Sequence, residues 1–497
     1  MENKTNNHKL KKQLNPLNVW SIAFGCIIGW GSFVNPGKKF LPNSGVAGTA
    51  IAMLLGAVVM IIIAVSYAYM VPKYPKAGGE YTFTKECFGG DTATCCGWFL
   101  IAAYLTNVPM NSTAIGLIVD GLDGTTDILK FGFHYTVAGF EVYFGEILLA
   151  SSILVLFAAL NIWGVKKAAF VQTALSTLLV ASVFALSAAA IFSSKALPEN
   201  AVPIWGFDKT AAMAAGATTE TVGEFARTGP KGITSAILAT FAIAPWAYVG
   251  FDTIPQVAEE CKFSFRKVIA ILVVAIVFGC FVYTSNTLVA ATALANWPER
   301  VMAGEWVLLV AAEEMLGVFG KVLVGVAVSC AVLSGIMGFY LASSRLLYSM
   351  ANDGCMPRIF GKIDPRYGTP GNAIVFCMVI SLTGPVLGRE ALGWFVDMSA
   401  IGASMGYFFT CASALKKMRQ CGHRAMSFRI PAALGTAFSA VFILLQLVPI
   451  PGLSGVHFGR ESYILLLVWI GIGLIFGCAC KRNQQITEVY RYVGAQH

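Results

Sequence analysis

Histidine and charge are both scarce in this chain, and each shortage removes a class of function. All five histidines, His8, His134, His423, His457 and His497, fall in tails or between apolar stretches, so no imidazole cluster faces one cavity for metal or acid–base chemistry. The thirteen cysteines are scattered and none stands at C-x-x-C spacing, which argues against zinc. Cys26, Cys280, Cys330, Cys377 and Cys411 lie inside apolar stretches and read as buried thiols. An enzyme reading is left without chemistry, and neither metal nor organic cofactor is expected. No basic arm is long enough to track phosphates, so the net charge of +9 does not indicate nucleic acid. With 12% charged and 57% hydrophobic residues and a mean hydropathy of +0.69, there is more apolar surface than one soluble core can bury. What remains is an all-α polytopic membrane protein in contact with the lipid bilayer.

A crossing needs roughly 20 apolar residues. Twelve stretches qualify: 18–41, 46–71, 97–119, 142–163, 168–193, 232–255, 268–295, 318–348, 373–388, 393–415, 430–450 and 461–480. The ninth, with Pro385, is the least apolar. Placing the amino terminus in the cytoplasm puts roughly two thirds of the Lys and Arg on the inside, obeying the positive-inside rule. An even number of spans then puts both termini in the cytoplasm, and the expected location is the cytoplasmic (plasma) membrane, multi-pass. The polar, lysine-bearing start and the lack of a small-residue cleavage site argue against a signal peptide.

Two of these stretches carry helix-breaking runs, Gly25-Cys26-Ile27-Ile28-Gly29-Trp30-Gly31 in the first and Pro245-Trp246-Ala247-Tyr248-Val249-Gly250-Phe251 in the sixth. Glycine eases unwinding and proline removes a donor, and peptide groups freed in hydrocarbon are tolerated only against protein, water or ligand. Either run alone fits helix packing; the pair, five spans apart, points to a midplane binding site between inverted five-span repeats. The chain then divides into a cytoplasmic tail (1–14), a first repeat (15–193), an outer loop (194–231), a second repeat (232–415), two accessory spans (416–480) and a second tail (481–497).

The first run, with Ser32, Phe33, Pro36 and Gly37, resembles the first-span signature of the amino acid-polyamine-organocation (APC) permeases. Ala77-Gly78-Gly79-Glu80-Tyr81, the stretch from Asn161 to Lys166, Tyr248-Val249-Gly250-Phe251-Asp252 with Ala258-Glu259-Glu260, and Ala342-Ser343-Ser344-Arg345 through Asn352-Asp353-Gly354 agree in order. The likeness is to its arginine/agmatine antiporter and cationic amino acid transporter branches. It implies a leucine-transporter-type fold of 12 transmembrane helices, with a 5+5 inverted repeat and broken helices 1 and 6. The first break would receive a substrate carboxylate on the amides of Gly29, Trp30, Gly31 and Ser32, a half-helix amino terminus that also favours an anion on physical grounds. The carbonyls of Cys26, Ile27, Ala242 and Ala244 would face the ammonium. Trp30 stands where many relatives carry a small residue, so it either narrows the pocket or packs away from it. The resemblance also implies Trp246 as a gate over the substrate, Ala103, Asn107 and Met110 as third-span pocket residues, and Phe339 as the eighth-span aromatic.

Intramembrane carboxylates are costly and point to function. Asp252 reads equally as a half-helix cap or a coupling group, and Asp397 as structural. Glu80 and Arg345 read as inner-face structure, and Glu259, Glu260, Lys262, Arg266 and Lys267 as a solvated loop or inner latch. Tyr248 and Asp252 are gating or coupling candidates, as are Ser343 and Ser344, whose hydroxyls suit a sodium site. Sodium and proton are the candidate coupling ions, although residues 168–193 lack the lysine that replaces sodium in some relatives. With no acidic residue in the first three spans, the expected function is a secondary active permease moving a neutral amino acid by alternating access. An amine, polyamine or cationic amino acid carrier or exchanger is the alternative within the fold, and a non-transporting membrane sensor the alternative outside it. The residues do not choose between monomer and homodimer.

Overall fold

The computed structural model describes residues 10–123, 127–137, 139–264, 267–389, 391–422, 426–449 and 457–494; the tail to residue 9, Arg266, His8, His423 and residues 495–497 lie outside it. Among the described residues, nine helices are long and apolar enough to cross a membrane. The expected first, sixth and ninth spans contain short or interrupted helices instead, and in the first two the interruption is the point of interest.

The chain begins with α1 (Pro16–Ile27), whose start is fixed by an Asn15–Asn18 capping box and Pro16 at the first turn. After a break come α2 (Gly31–Asn35), a π-turn over Pro36–Phe40 and α3 (Leu41–Met70). The chain bends at Gly45 (φ 60°), where the loop bearing Ile204 lies so close that a Cβ would sit 2.3 Å from the Ile204 carbonyl oxygen. Next are α4 (Gly79–Phe88) and α5 (Gly90–Asp123), then a hairpin of β1 (His134–Val137) and β2 (Phe140–Tyr143), paired antiparallel. α6 (Phe144–Ile162) and α7 (Val165–Phe192) follow. The connection after α7 carries the short α8 (Lys209–Ala214).

The second half opens with α9 (Gly229–Phe241), α10 (Ala244–Ala247) and α11 (Thr253–Gln256), three pieces of the expected sixth span. It continues through α12 (Val268–Thr292), α13 (Trp297–Met302), α14 (Val307–Leu316) and α15 (Val318–Asn352). The expected ninth span is split into α16 (Gly371–Ser381) and α17 (Thr383–Leu387), with Pro385 in the second piece. α18 (Ala391–Gln420), α19 (Met426–Leu447) and α20 (Arg460–Gly494) complete the fold.

Packing runs through a few long partners. α5 lies between α15 and α18, α1 lies against α7, α12 and α15, and α3 lies against α9, α12 and α19. Large apolar side chains such as Leu54, Val58, Phe170, Ile191 and Leu467 are exposed, while Glu80, Asp252, Glu260 and Arg345 are fully buried. That distribution is the inverse of a water-soluble protein and suits hydrocarbon outside with a polar interior.

One end of the bundle is fastened by three segments. Gln13 and Leu14 donate their amides to the Glu260 carbonyl at 2.8 and 3.0 Å, and Lys262 donates back to the Leu14 carbonyl at 2.9 Å. Arg345 of α15 forks onto the Glu260 carboxylate, Nε to Oε1 at 2.8 Å and Nη2 to Oε2 at 3.3 Å, both side chains at 0% exposure. Glu259 accepts from the Ala77 amide at 3.3 Å. Of the five residues read as an inner cluster, Glu260 is thus a buried ion-pair partner rather than part of a solvated loop.

Candidate functional site

The first break spans Ile28–Trp30. Ile28 has extended backbone (φ −96°, ψ 103°) and its amide closes the last turn of α1 on Phe24. Beyond it, the amides of Gly29, Trp30 and Gly31 have no backbone partner among the described residues, and neither has the Cys26 carbonyl. The Ser32 amide differs from expectation: it donates to the Gly29 carbonyl at 3.2 Å, and the Ser32 hydroxyl donates there too at 2.9 Å. Ser32 therefore closes the turn, and the freed amides are those of the three residues before it. The Ile27 carbonyl receives the Tyr283 hydroxyl at 3.4 Å.

The second break follows α9. The helical partner of the Phe241 carbonyl would be Pro245, which has no N–H, so that oxygen is released by sequence alone. The Ala242 carbonyl also lacks a backbone donor among the described residues. Ala244 is different, because its carbonyl takes the Tyr248 amide at 3.0 Å within the α10 turn. The acceptors at this break are therefore Phe241 and Ala242, not Ala244.

The two breaks meet at Gly250. Its φ of +139° is closed to most side chains, and a Cβ there would lie 2.5 Å from the Ile27 nitrogen and 2.7 Å from the Cys26 carbonyl carbon. Backbone lies on backbone, with freed donors in one segment and freed acceptors in both. Above this contact the Trp30 and Trp246 rings are 6.3 Å apart at 57°, each 7% exposed, and Trp30 Nε1 has no hydrogen-bond partner. Gly31 sits under Trp246, since a Cβ at Gly31 would be 2.3 Å from Cη2 of that ring. Trp30 thus meets Trp246 at the break rather than packing away from it.

The third-span residues are turned from where the sequence placed them. Ala103 lies against Gly402 of α18, and Asn107 donates to the Ala103 carbonyl at 2.6 Å and to Ser399 Oγ of α18 at 2.7 Å. Met110 is buried in the core. Toward the breaks point Tyr104 and Asn111, which the sequence reading missed. Asn111 is wedged between Gly29 and Gly335, where added Cβ atoms would stand 3.1 and 3.0 Å from its amide group, and its Oδ1 is buried without a partner. Phe339 of α15 lies 6.3 Å, ring to ring, from Tyr104.

The gating and coupling candidates divide. Tyr248 donates to the Met53 carbonyl of α3 at 2.8 Å and packs against Gly56 and Gly279, so it joins helices rather than facing the break. Tyr248→Phe is expected to lower thermal stability by about 1 kcal/mol and leave substrate affinity unchanged, read by thermal melting and binding on purified protein. Ser343 and Ser344 donate back to the Phe339 and Leu341 carbonyls at 2.7 and 3.0 Å, and Ser344 also accepts from Arg345 at 3.1 Å. Asp252 accepts from the Gly250 amide at 2.7 Å, which braces the turn at the break. Asp397 accepts from Ser462 of α20 at 2.6 Å.

Below the break lies a buried network that the sequence did not reveal. Glu80 accepts from Tyr67 at 2.9 Å and from Gln256 at 2.7 Å, and the Tyr104 oxygen stands 3.2 Å from Glu80 Oε1 and 3.0 Å from Asp252 Oδ2. Burial, and after it the charge of Asp252, pushes the Glu80 carboxyl above the usual carboxylate range.

Comparison with known proteins agrees with this architecture. The family model described as amino acid permease matches residues 14–475. The chain is 26% identical over 504 residues to Asc-type amino acid transporter 1 of Homo sapiens, covering 98% of this chain and 87% of that protein. It is 27% identical over 382 residues to the large neutral amino acids transporter small subunit 2 of Rattus norvegicus, covering 75% of this chain and 64% of that protein. Against the vacuolar cationic amino acid transporter 4 of Arabidopsis thaliana it is 23% identical over 402 residues, 79% of this chain and 60% of that protein. With the family match spanning nearly its whole length and two broken apolar segments facing each other, the chain is a multi-pass membrane protein of the amino acid permease family.

Proposed function

We propose that this permease carries a neutral α-amino acid across the plasma membrane by alternating access, with twelve spans, a five-plus-five inverted repeat and both termini in the cytoplasm. The observation that carries it is the contact of the two breaks at Gly250. The amides of Gly29, Trp30 and Gly31 suit a carboxylate and the carbonyls of Cys26, Phe241 and Ala242 suit an ammonium, and Gly31 lies against the Trp246 ring of the second break. Trp30, Trp246 and the Asn111 amide supply apolar and neutral polar surface for the side chain. The name of the large neutral amino acids relative supports the same substrate class.

A cationic amino acid is the second reading, favoured by Asp252 at the edge of the break and by the Arabidopsis relative. Two donors already engage Asp252, from Gly250 and Tyr104, which favours the neutral substrate. Uptake of labelled neutral and cationic amino acids and amines into proteoliposomes, under separate sodium and proton gradients, tests both. Neutral amino acids are expected to be taken up, and uptake confined to cationic ones would reverse the choice. Trp246→Ala is expected to lower uptake at least roughly tenfold, equivalent to about 1.4 kcal/mol, with the protein still monodisperse in detergent. Normal uptake by that variant would remove Trp246 from the site.

A further inference from the structure

Glu80 and Asp252 are both fully buried and are joined by a single phenol, that of Tyr104. Tyr104 has one hydrogen and three oxygens within reach: Glu80 Oε1 at 3.2 Å, Asp252 Oδ2 at 3.0 Å and the Asp252 carbonyl at 3.2 Å. If that hydrogen goes to Asp252, the contact between the Tyr104 oxygen and Glu80 has no hydrogen in it. A proton on Glu80 Oε1 supplies the missing one, donating to the Tyr104 oxygen while Tyr104 donates to Asp252.

Among the described residues, the surroundings offer no counter-charge. The titratable groups around Glu80 are Tyr67 from α3, Cys96 and Tyr104 from α5, Asp252 from the segment between α10 and α11, and Tyr407 from α18. None is a cation. Arg345 of α15 is committed to Glu260. Lys85, on the same helix as Glu80, pairs with Asp353 at the surface. Two carboxylates this close in a buried site do not both ionise without a cation.

We propose that Glu80 and Asp252 form a proton-binding site, holding one proton between them through Tyr104 while the end of the bundle fastened by Glu260 is closed. The pair then carries one negative charge in place of two. Opening that end admits water to Glu80, the proton passes from Oε1 to that water, and the pair is left doubly ionised. The closed form thus binds one proton more than the open form, and raising the pH on that side favours opening. This deepens the permease reading and rests on it only for the link to transport.

Infrared spectroscopy of the purified full-length protein at neutral pH tests the site without any transport. The expected result is a carbonyl stretch of a protonated carboxyl in the wild type that is lost in Glu80→Gln. Absence of the band in the wild type, or its persistence in Glu80→Gln, overturns the proposal and leaves amino acid uptake standing. Where Glu80→Gln does not fold, Tyr104→Phe serves instead: removing the shared phenol must shift the band, and an unmoved band overturns the proposal. In proteoliposomes with a trapped pH dye, wild-type substrate movement is expected to shift internal pH, while Glu80→Gln keeps substrate exchange and loses the shift. An equal pH shift in Glu80→Gln uncouples the site from transport and contradicts the proposal.

Discussion

Replacing Gly250 by alanine is expected to abolish transport while the protein still inserts and purifies. The residue is held at φ +139°, and an added methyl would stand 2.5 Å from the Ile27 nitrogen and 2.7 Å from the Cys26 side chain and carbonyl carbon. Backbone cannot yield as a flexible side chain can, so the two breaks must separate. Holding a non-glycine residue in such a region costs of order 1–3 kcal/mol before the contact is counted. Separating the breaks also moves the first-span amides away from the sixth-span segment, whose Phe241 and Ala242 carbonyls are proposed to help hold the other end of the ligand. Uptake into proteoliposomes is expected to fall at least roughly tenfold, normalised to folded protein by size exclusion. Near-normal uptake would show that the contact is not part of the transport cycle.

The second large effect concerns stability. Arg345→Ala strips the buried Glu260 carboxylate of its fork and leaves an uncompensated charge, a loss of about 3–5 kcal/mol. A pair of neutral replacements, Arg345→Met with Glu260→Met, is expected to recover most of it, because no charge is then left stranded. Glu260 also anchors the amino-terminal segment through its carbonyl, and that backbone contact survives both substitutions. Thermal unfolding of the single and double variants separates the terms. A single-variant loss of less than about 1 kcal/mol would place the pair with weak surface bridges instead.

The breaks were legible in the sequence because they depend on backbone, and glycine and proline act on backbone directly. Pro245 removes the donor that Phe241 needs, and Gly250 supplies a φ that few side chains accept. The contact between the two segments was not legible, since periodicity does not say which glycine faces which. The third span shows the same limit. α5 is apolar around most of its surface, so no polar face fixes its rotation. Ala103 turned out to lie against Gly402 of α18, one residue of rotation from Tyr104, and Asn107, which shares a stripe with Tyr104 and Asn111, reaches sideways to Ser399 of α18 while Asn111 meets the first break. Asn111 left a signal, an amide four residues after Asn107 in a membrane helix, where each such group needs a partner. The Glu80 network left none, because Tyr67, Glu80, Tyr104 and the Asp252–Gln256 stretch come from separate segments that only the fold brings together. Ser32 and Ala244 were misjudged for a local reason: each sits one step inside a turn that consumes its peptide group.

The central claim is that freed amides at one break and freed carbonyls at the other clasp both charged ends of an amino acid. Competition binding on purified protein addresses it directly, using a bound labelled amino acid and three competitors that share its side chain: the amino acid, the amine lacking the carboxylate, and the acid lacking the amino group. Displacement by the intact amino acid alone is the expected result. Equal displacement by the amine would show that the first break holds no carboxylate, and the paired-break site would then be wrong.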